Sequence, residues 1–320
     1  MESFLAPLAL LIERLAGYPR PLLNAIGHPV IWFGKLIDFM QIRLNGRDRT
    51  ARDRRDGGII TLAALLAATL IVTLAVVQVT RHIPQGWILE AILATPFLAQ
   101  KQLGDFVRKV GEGLDLSLLA GREAVSHIVG RDTTSLDAAG VSRAAIETLA
   151  ENASDGVIAP LFWLLALGLP GIALYKAINT ADSMVGHLNE RYREFGWASA
   201  KLDDLVNWIP ARLTAILFVI ACFVVKDASP SSAWAAARRD AKEHSSPNAG
   251  WPEAAMAGAL GFGLGGPRAY HGEVVDLPTM GAGRHDLGPA DIRRALQLYG
   301  VMLNVALVAT VIVGLALLRV

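Results

Sequence analysis

Two glutamates that lie four residues apart, Glu147 and Glu151, are the first candidates for polar chemistry in this sequence. Side chains at this spacing share one face of a helix, and two like charges there repel each other. A divalent cation or a basic substrate group would relieve that repulsion, and carboxylate oxygens are ligands that suit Mg²⁺. The alternative interpretation is a solvated helix end that stops at Gly156. The same segment supplies three further polar candidates: Asn152, Ser154 and Asp155.

A second polar face is predicted between residues 176 and 183. Lys176, Asn179, Thr180 and Ser183 fall at positions i, i+3, i+4 and i+7 of a helix, and Asp182 lies three residues after Asn179. A polar face that follows an apolar segment indicates a site at the membrane surface. There Lys176 could bind a phosphate or a carboxylate group, or its ammonium could simply extend toward the interface.

The segment 201–212 adds two carboxylates and a cation. Asp203 and Asp204 are adjacent, so on a helix they point in different directions. Together with Asn207 and Arg212 they could form a patch that binds phosphate and a metal ion. The alternative interpretation is the start of a helix, where acidic residues interact favourably with the helix dipole.

The last polar segment, 238–253, combines cationic, imidazole and carboxylate side chains around a turn rich in proline and glycine. His244 is a candidate base or phosphate contact, and the alternative is a structural histidine. The other candidates in this segment are Arg238, Asn248 and Glu253. The sequence contains no Walker A motif, so ATP would have to bind through another architecture.

The composition is that of a membrane protein that must hold these side chains on helices. Of 320 residues, 53% are apolar and only 18% are charged, and the formal net charge is +1. An ordinary soluble protein has about 25% charged residues, and a nucleic-acid binder usually has a clear basic excess. The single cysteine, Cys222, excludes a disulfide within the chain and argues against a cysteine-based metal site.

Apolar segments predict an all-α, polytopic integral membrane protein with about four to five transmembrane helices, because about 20 apolar residues span a bilayer. The segment 157–175 contains Pro160, Gly168 and Pro170, which predict a kinked or re-entrant piece. Arginines between positions 43 and 55 place that part of the chain in the cytoplasm. The expected spans lie near 59–79, 83–99, 157–175, 205–225 and 301–318.

We expect a single membrane-embedded domain over residues 1–320, because no linker or repeat divides the chain. The polar regions 101–155, 177–204 and 226–294 lie beside the expected spans rather than within them. This placement favours chemistry at the membrane surface over transport through it. We expect the stretches 101–204 and 226–294, which hold most of the candidate residues, to meet at one site on the cytoplasmic side.

Several motifs of the chain resemble one known family, that of adenosylcobinamide-phosphate synthases of cobalamin biosynthesis (the CobD/CbiB type). Each long motif is specific, they occur in the family's order, and they cover most of residues 28–295. The motifs are HPV at 28–30 with Gly34, GRD at 130–132, ETLAENASDGVIAPLF at 147–162, YKAINTADSMVGH at 175–187, FGWASAKLDDLVNWIPARLTA at 195–215, SPNAGWPEAAMAGALG at 246–261 and LGGPRAYHG at 264–272.

The resemblance implies an integral membrane amide ligase that uses ATP and Mg²⁺. The reaction would join the ring D propionate of adenosylcobyric acid, an adenosylcorrinoid, to (R)-1-amino-2-propanol O-phosphate or to free aminopropanol. The product would be adenosylcobinamide phosphate or adenosylcobinamide. A corrinoid-binding transport or scaffold protein of the membrane is the alternative function.

Within the matched motifs we assign roles to the candidate residues. Catalytic roles go to Glu147, Glu151, Asp155 and His244, and metal contacts go to Glu151, Asp155 and Asp182. Substrate or phosphate contacts go to Asn152, Ser154, Lys176, Asn179, Asp182, Ser183, Asp203, Asp204, Arg212, Arg238, Asn248 and Glu253. Trp163, Trp197, Trp208 and Trp251 are either walls for the corrin or anchors at the interface.

The expected surroundings follow from the same interpretation. We expect the chain in the inner (cytoplasmic) membrane as a multi-pass protein whose active site faces the cytoplasm. Its partners would be a corrinoid, an amino-alcohol phosphate, membrane lipid and later membrane enzymes of the corrinoid pathway, with no nucleic acid.

Overall fold

A computed structural model of the protein describes residues 2–18, 24–25, 27–130, 132–266, 268–270, 273–275 and 278–318. Helices dominate these residues, and the few strands are two or three residues long. The predicted all-α, polytopic membrane fold is confirmed. In the matched motifs, positions 131, 267, 271 and 272 lie outside the described residues.

The helices are numbered here in chain order over the described residues. They are α1 (Leu5–Ala16), α2 (Pro29–Leu44), α3 (Ala51–Thr80), α4 (Trp87–Ala94), α5 (Gln100–Leu116), α6 (Leu118–Ser126), α7 (Ala138–Ala153), α8 (Ala159–Val185), α9 (Trp197–Val206), α10 (Trp208–Ala221), α11 (Pro230–Asp240), α12 (Gly250–Leu260) and α13 (Pro289–Leu317). Short 3₁₀ helices cover Glu2–Phe4, Thr95–Phe97 and Ala241–Glu243, and a π-helical turn covers Ser154–Ile158.

Four short strands form two antiparallel pairs. Strand β1 (Leu264–Gly265) pairs with β4 (Thr279–Met280), with Leu264 opposite Met280. Strand β2 (Arg268–Tyr270) pairs with β3 (Glu273–Val275). The first of these strands begins four residues after helix α12 ends, and both β1 and β4 contact that helix.

The chain forms two compact units. The first unit contains Met1–Ala99, Ala159–Asn207 and Thr310–Val320. The second contains Gln100–Ile158 and Trp208–Ala309.

In the first unit, helices α2, α3 and α8 enclose an apolar core. Its buried residues are Ile37, Leu62, Leu65, Ala177, Ala181, Val185 and Phe195. Gly58 allows the backbones to approach closely, because a Cβ atom there would lie 1.8 Å from the Phe195 carbonyl oxygen. Helix α3 begins at Ala51 because Thr50 caps it: Thr50 Oγ1 accepts a hydrogen bond from the Asp53 amide, and the Thr50 amide donates to the Asp53 carboxylate, each at 3.2 Å.

In the second unit, helices α11 and α12 pack through small side chains. Ala233 and Ala237 are fully buried on α11, as are Ala254 and Ala255 on α12. Gly258 permits this contact, because a Cβ atom there would lie 2.3 Å from the carbonyl oxygen of residue 232. Close packing of small residues substitutes here for large apolar side chains.

The helical stretch from α7 to α8 is interrupted where the sequence predicted a kink. Pro160 has no amide hydrogen to donate to the carbonyl four residues earlier, and the wider π turn at Ser154–Ile158 lies just before it. Gly168 adopts φ 65° and ψ −153°, a conformation open to glycine, and Pro170 follows. The stretch is therefore three helical pieces rather than one straight helix.

By length and apolarity, three helical stretches of the described residues could cross a membrane, and a fourth results if a pair broken at Asn207 counts as one span. They are Ala51–Thr80, Ala138–Val185 and Pro289–Leu317, with the broken pair Trp197–Val206 and Trp208–Ala221. The expected span near 83–99 is not among them. Helix α4 ends at Ala94 and passes into the 3₁₀ turn Thr95–Phe97, where Pro96 has no amide hydrogen to continue the α-helical hydrogen bonds.

Candidate active site

A cavity of about 420 Å³ in the second unit brings together five of the predicted site residues. Helix α7 supplies one wall, the segment after the Ala241–Glu243 turn and helix α12 supply another, and strands β1 and β4 close the side. Residues of the polar regions 101–155 and 226–294 therefore meet at this cavity, whereas the polar residues of 177–204 belong to the first unit. The five residues are Glu147, Glu151, Asn152, His244 and Glu253.

Glu147 ties helix α7 to the β1 strand. Its side chain is 6% exposed, and Oε1 accepts a hydrogen bond from the Gly265 amide at 2.7 Å. A carboxylate that accepts from a backbone amide makes one of the stronger hydrogen bonds in proteins. Glu147 is therefore both a cavity wall and a structural link between two segments that are 118 residues apart in sequence.

His244 and Glu253 form a pair at the cavity wall. The His244 Nε2 atom lies 3.6 Å from Glu253 Oε1, and Glu253 is 3% exposed. The Ser246 amide donates to His244 Nδ1 at 3.0 Å, so Nδ1 is the acceptor and the neutral ring carries its proton on Nε2, toward the carboxylate. These contacts orient the imidazole toward the Glu253 carboxylate.

Glu151 and Asn152 lie one turn further along α7, where the α-helix passes into the π turn. Asn152 Nδ2 donates to the Thr148 carbonyl oxygen at 3.0 Å, and Asp155 is half-buried in the π turn. Ser154 Oγ is buried and has no hydrogen-bond partner among the described residues. π turns are frequent at functional sites because they redirect side chains. This turn gives Ser154 and Asp155 directions that a regular helix would not give them.

Arg212 is held between two tryptophans in the second unit. Its guanidinium carbon lies 4.4 Å from the centre of the Trp208 ring and 4.8 Å from that of Trp251. Its Nη1 atom donates to Asn248 Oδ1 at 3.3 Å. Stacking and this hydrogen bond fix the orientation of the cation. Arg238, the other predicted phosphate contact of this unit, is exposed on α11 and does not line the cavity.

The remaining predicted residues lie in the first unit, where a chain of hydrogen bonds joins α8 to α9. Lys176 Nζ donates to Asn179 Oδ1 at 2.9 Å, and Asn179 Nδ2 lies 3.5 Å from Asp203 Oδ1. Asn207 Nδ2 donates to Asp203 Oδ2 at 2.9 Å and its Oδ1 accepts from the Tyr175 hydroxyl at 2.9 Å. Tyr175 and Asn207 are both 1% exposed, so this network is buried at one end.

Three carboxylates of the first unit lie close enough to repel one another. Asp182 interacts unfavourably with Asp203 and Asp204, and Lys201 partly offsets Asp204 at 3.8 Å. Ser183, by contrast, donates to the carbonyl oxygen of residue 179 in its own helix at 2.8 Å. Like charges held together in a protein are a feature of sites that bind a cation.

Sequence reasoning did not include several groups that the structure adds to these sites. The Gly265 amide faces Glu147 only because β1 returns to α7, and no local pattern signals that contact. His28 caps helix α2, with Nδ1 accepting from the Val30 amide at 3.3 Å, and lies near Lys176. Burial and the positive charge of Lys176 lower the pKa of His28. The sequence signal for this N-cap was the histidine directly before a proline in the first matched motif, since proline favours the first turn of a helix.

The predicted metal ligands are divided between the two units. Among the described residues, no group of three or more His, Cys, Asp or Glu is arranged to hold a metal ion. Asp182 belongs to the first unit, whereas Glu151 and Asp155 belong to the second. Glu147 and Glu151 do line one cavity, and a magnesium ion bound with a nucleotide takes only one or two protein carboxylates. These two residues fit that smaller requirement.

Comparison with known proteins identifies the family. The family model described as CobD/Cbib protein matches residues 6–299. This chain belongs to the CobD/CbiB family. The resemblance in the sequence motifs is thereby confirmed, over nearly the whole chain.

Three relatives of the CobD/CbiB chain carry the name "Cobalamin biosynthesis protein CobD". The protein of Rhodobacter capsulatus is 48% identical over 93% of this chain and 94% of its own length. That of Brucella anthropi is 47% identical over 93% of each chain, and that of Rhizobium meliloti is 46% identical over 91% of this chain and 90% of its own. No solved structure matches. Membership of the family associates the chain with cobalamin biosynthesis.

Proposed function

We propose that the chain is an adenosylcobinamide-phosphate synthase. It would condense the ring D propionate of adenosylcobyric acid with (R)-1-amino-2-propanol O-phosphate, or with free aminopropanol, at the expense of ATP. The observation that carries the proposal is the cavity of the second unit, where Glu147, Glu151, Asn152, His244 and Glu253 meet in a chain of this family.

The chemistry requires an activated carboxylate and a neutral amine. A carboxylate is a poor electrophile, and phosphoryl transfer from ATP would turn it into an acyl phosphate with release of ADP. The amine nitrogen then forms the amide bond while the bond from carbonyl carbon to phosphate oxygen breaks, and inorganic phosphate leaves. The amine must lose protons on the way, so a general base has to be within reach.

The residues of the cavity supply groups suited to these steps. The His244–Glu253 pair lines the cavity and is the proposed acceptor of a proton from the attacking ammonium group. Glu147 and Glu151 would hold a magnesium ion that travels with the nucleotide and neutralises phosphate charge. Arg212 does not line the cavity; fixed between two tryptophan rings of the same unit, it is proposed as a preorganised cation for a phosphate group.

The polar network of the first unit is proposed as a substrate-binding group rather than as the centre of bond making. Lys176 offers an ammonium group for a carboxylate or phosphate, and the carboxylates Asp182, Asp203 and Asp204 favour a cationic ligand. The other predicted site residues are also proposed as contacts of the substrates or of the metal ion: Asn152, Ser154, Asp155, Asn179, Ser183, Arg238 and Asn248.

We also propose the inner membrane as the location, with the active site on the cytoplasmic side. The support is the arginine-rich segment between positions 43 and 55, which immediately precedes the apolar part of α3. A membrane location would let the product pass to later membrane enzymes of the corrinoid pathway.

The test uses the purified full-length chain in detergent with adenosylcobyric acid, ATP, Mg²⁺ and aminopropanol phosphate. Mass spectrometry should detect the amide only when all four components are present, and the nucleotide product should be ADP. Replacing the phosphate ester by free aminopropanol identifies the preferred amine. Corrinoid binding by folded protein without amide formation would instead support a transport or scaffold protein.

A matched pair of variants tests the assignment of the cavity. Glu151→Gln removes one charge from the cavity, and we expect turnover to fall about 10²-fold or more, the usual size for loss of a group that acts in the transition state. Glu112→Gln makes the same change at an exposed position of α5 that does not line the cavity. Turnover of this control should equal that of the wild type. Equal turnover for all three proteins would reject the cavity as the active site.

A further inference from the structure

The first unit contains a second, larger cavity that none of the proposed catalytic residues lines. Its volume is about 820 Å³, and it lies where the end of α2, the start of α3 and the segment after α8 meet. Three arginines and one glutamate line it: Arg47, Arg54, Arg191 and Glu190. Within the described residues none of the three arginines pairs with a carboxylate. The cavity is therefore suited to an anion.

Hydrogen bonds hold the walls of this cavity together. Asn45 Nδ2 donates to the Arg191 carbonyl oxygen at 3.0 Å, and Arg54 Nη1 donates to the Glu190 carbonyl oxygen at 3.2 Å. The two bonds fasten residues 190 and 191 to the end of α2 and to the first turn of α3. The cavity is thus a built feature of the unit and not a gap between mobile side chains.

Three polar atoms on the walls are buried without a hydrogen-bond partner in the part of the chain that the structure describes. They are Arg54 Nε, Gln41 Oε1 and Asn45 Oδ1, each in a residue that lines the cavity. The amide orientations are fixed by the other atoms, because Gln41 Nε2 donates to Asp38 and Asn45 Nδ2 donates to Arg191. Buried polar atoms normally have partners, so a small side-chain movement that turns these atoms toward the cavity would let a bound ligand pair with them.

The character of these atoms defines the ligand. The arginines and the unpaired Nε–H call for an anionic acceptor such as a phosphate oxygen. The two amide oxygens call for a hydrogen-bond donor, a hydroxyl or an ammonium group. The ligand should therefore carry a phosphate joined through a short linker to a hydroxyl or an ammonium group. Phospholipid headgroups with glycerol or ethanolamine have this structure, whereas choline offers no donor.

The position along α3 favours a lipid over a free phosphate compound. Arg54 lies five residues before Ile59, where the strongly apolar part of the helix begins, which is about 7–8 Å along the helix axis. The headgroup layer extends about 5–8 Å beyond each side of the hydrocarbon core. We propose that this cavity binds the headgroup of an anionic phospholipid, such as phosphatidylglycerol, through Arg47, Arg54 and Arg191. The proposal is independent of the amidation reaction.

Native mass spectrometry of the full-length chain in detergent, with phosphatidylglycerol or phosphatidylcholine added, tests the proposal. The wild type should retain phosphatidylglycerol in preference to phosphatidylcholine. The double variant Arg54→Gln/Arg191→Gln should bind phosphatidylglycerol about 30-fold more weakly, or about 2 kcal/mol at roughly 1 kcal/mol per cation near the membrane surface. The control Arg52→Gln/Arg193→Gln changes two exposed arginines of the same segments that do not line the cavity, and it should bind as the wild type does.

A single variant separates loss of lipid binding from loss of folding. Arg47→Gln removes an exposed cation that makes no hydrogen bond with the described residues, and it should weaken binding about 5-fold without changing thermal unfolding. Equal phosphatidylglycerol binding by the wild type and both cavity variants would overturn the proposal. Free O-phosphoethanolamine that binds as tightly as phosphatidylglycerol, with the same dependence on Arg54 and Arg191, would overturn the lipid assignment.

Discussion

Replacement of Glu147 by two different residues separates its structural role from its proposed chemical one. The side chain is 6% exposed and Oε1 accepts from the Gly265 amide at 2.7 Å. Glu147→Ala removes this acceptor and leaves a backbone amide without it. Glu147→Gln retains a carbonyl oxygen in the same place, so the hydrogen bond can form, but the negative charge is lost.

The expected magnitudes follow from that geometry. A hydrogen bond to a charged group contributes about 1.5–3 kcal/mol. Glu147→Ala should therefore lower Tm by about 3–12 °C, at roughly 2–4 °C per kcal/mol. Glu147→Gln should lower Tm by less than about 3 °C. If the carboxylate acts in the reaction, both variants should form amide at least about 10²-fold more slowly than the wild type.

Two measurements on the same detergent-purified samples decide the matter. Thermal unfolding by fluorescence gives Tm, and mass spectrometry of the corrinoid product gives turnover. A Gln variant as unstable as the Ala variant would refute the hydrogen-bond argument. A Gln variant with wild-type turnover would show that the charge of Glu147 is not needed, and Glu147 would then be only a link between α7 and β1.

Three further outcomes are expected from the packing and electrostatics of the first unit and of α13. Gly58→Ala would place a Cβ atom 1.8 Å from a backbone carbonyl oxygen, so thermal unfolding should show a loss of about 3 kcal/mol of folding stability, or the variant should fail to fold. The control Gly300→Ala adds a Cβ atom with no neighbouring atom within 4 Å, and it should raise Tm slightly. Asn207→Leu breaks hydrogen bonds to a carboxylate and to a phenol, so it should lower the free energy of unfolding by about 2–4 kcal/mol. Tyr175→Phe removes only one of these bonds and should lower it by about 1 kcal/mol. Equal losses of stability in thermal unfolding would contradict the network. Burial and a nearby lysine lower the pKa of His28, so the folded state favours the neutral ring. The resulting stability is present above the unfolded pKa of about 6.5 and is lost as the pH falls below it. Tm should therefore drop between about pH 7.5 and about pH 5, and it should drop less steeply in His28→Asn, which keeps an N-cap acceptor.

Much of the fold was predictable because it depends on local sequence. Apolar segments of about 20 residues are visible in a window of sequence, so α3 and α13 were placed closely. The breaks near Pro160 and Gly168 were predictable because proline lacks an amide hydrogen and glycine permits unusual backbone angles. The expected span at 83–99 is a shorter helix, because the α-helix begins only at Trp87 and passes into a 3₁₀ turn at Thr95, next to Pro96. The apolar content of the segment suggested a longer helix than its ends allow.

The candidate site was predictable only in its residue types. The spacing of Glu147 and Glu151 on one helical face is local information, and the structure places both at one cavity. The pairing of His244 with Glu253 spans a turn and a new helix, so the sequence offered both residues without joining them. Arg238 was chosen for its charge, and its exposure on α11 could not be read from that.

The sequence by itself determined the class of this protein and its family, because helix length, apolar content and specific motifs are properties of contiguous residues. Tertiary structure decided which distant groups meet. The Gly265 amide reaches Glu147 across 118 positions, and the Arg54 side chain donates to the carbonyl oxygen of residue 190 across 136. Such contacts depend on how helices pack and where the chain returns. Local spacing carries no information about either, and this is the physical reason that the sites emerged only with the fold.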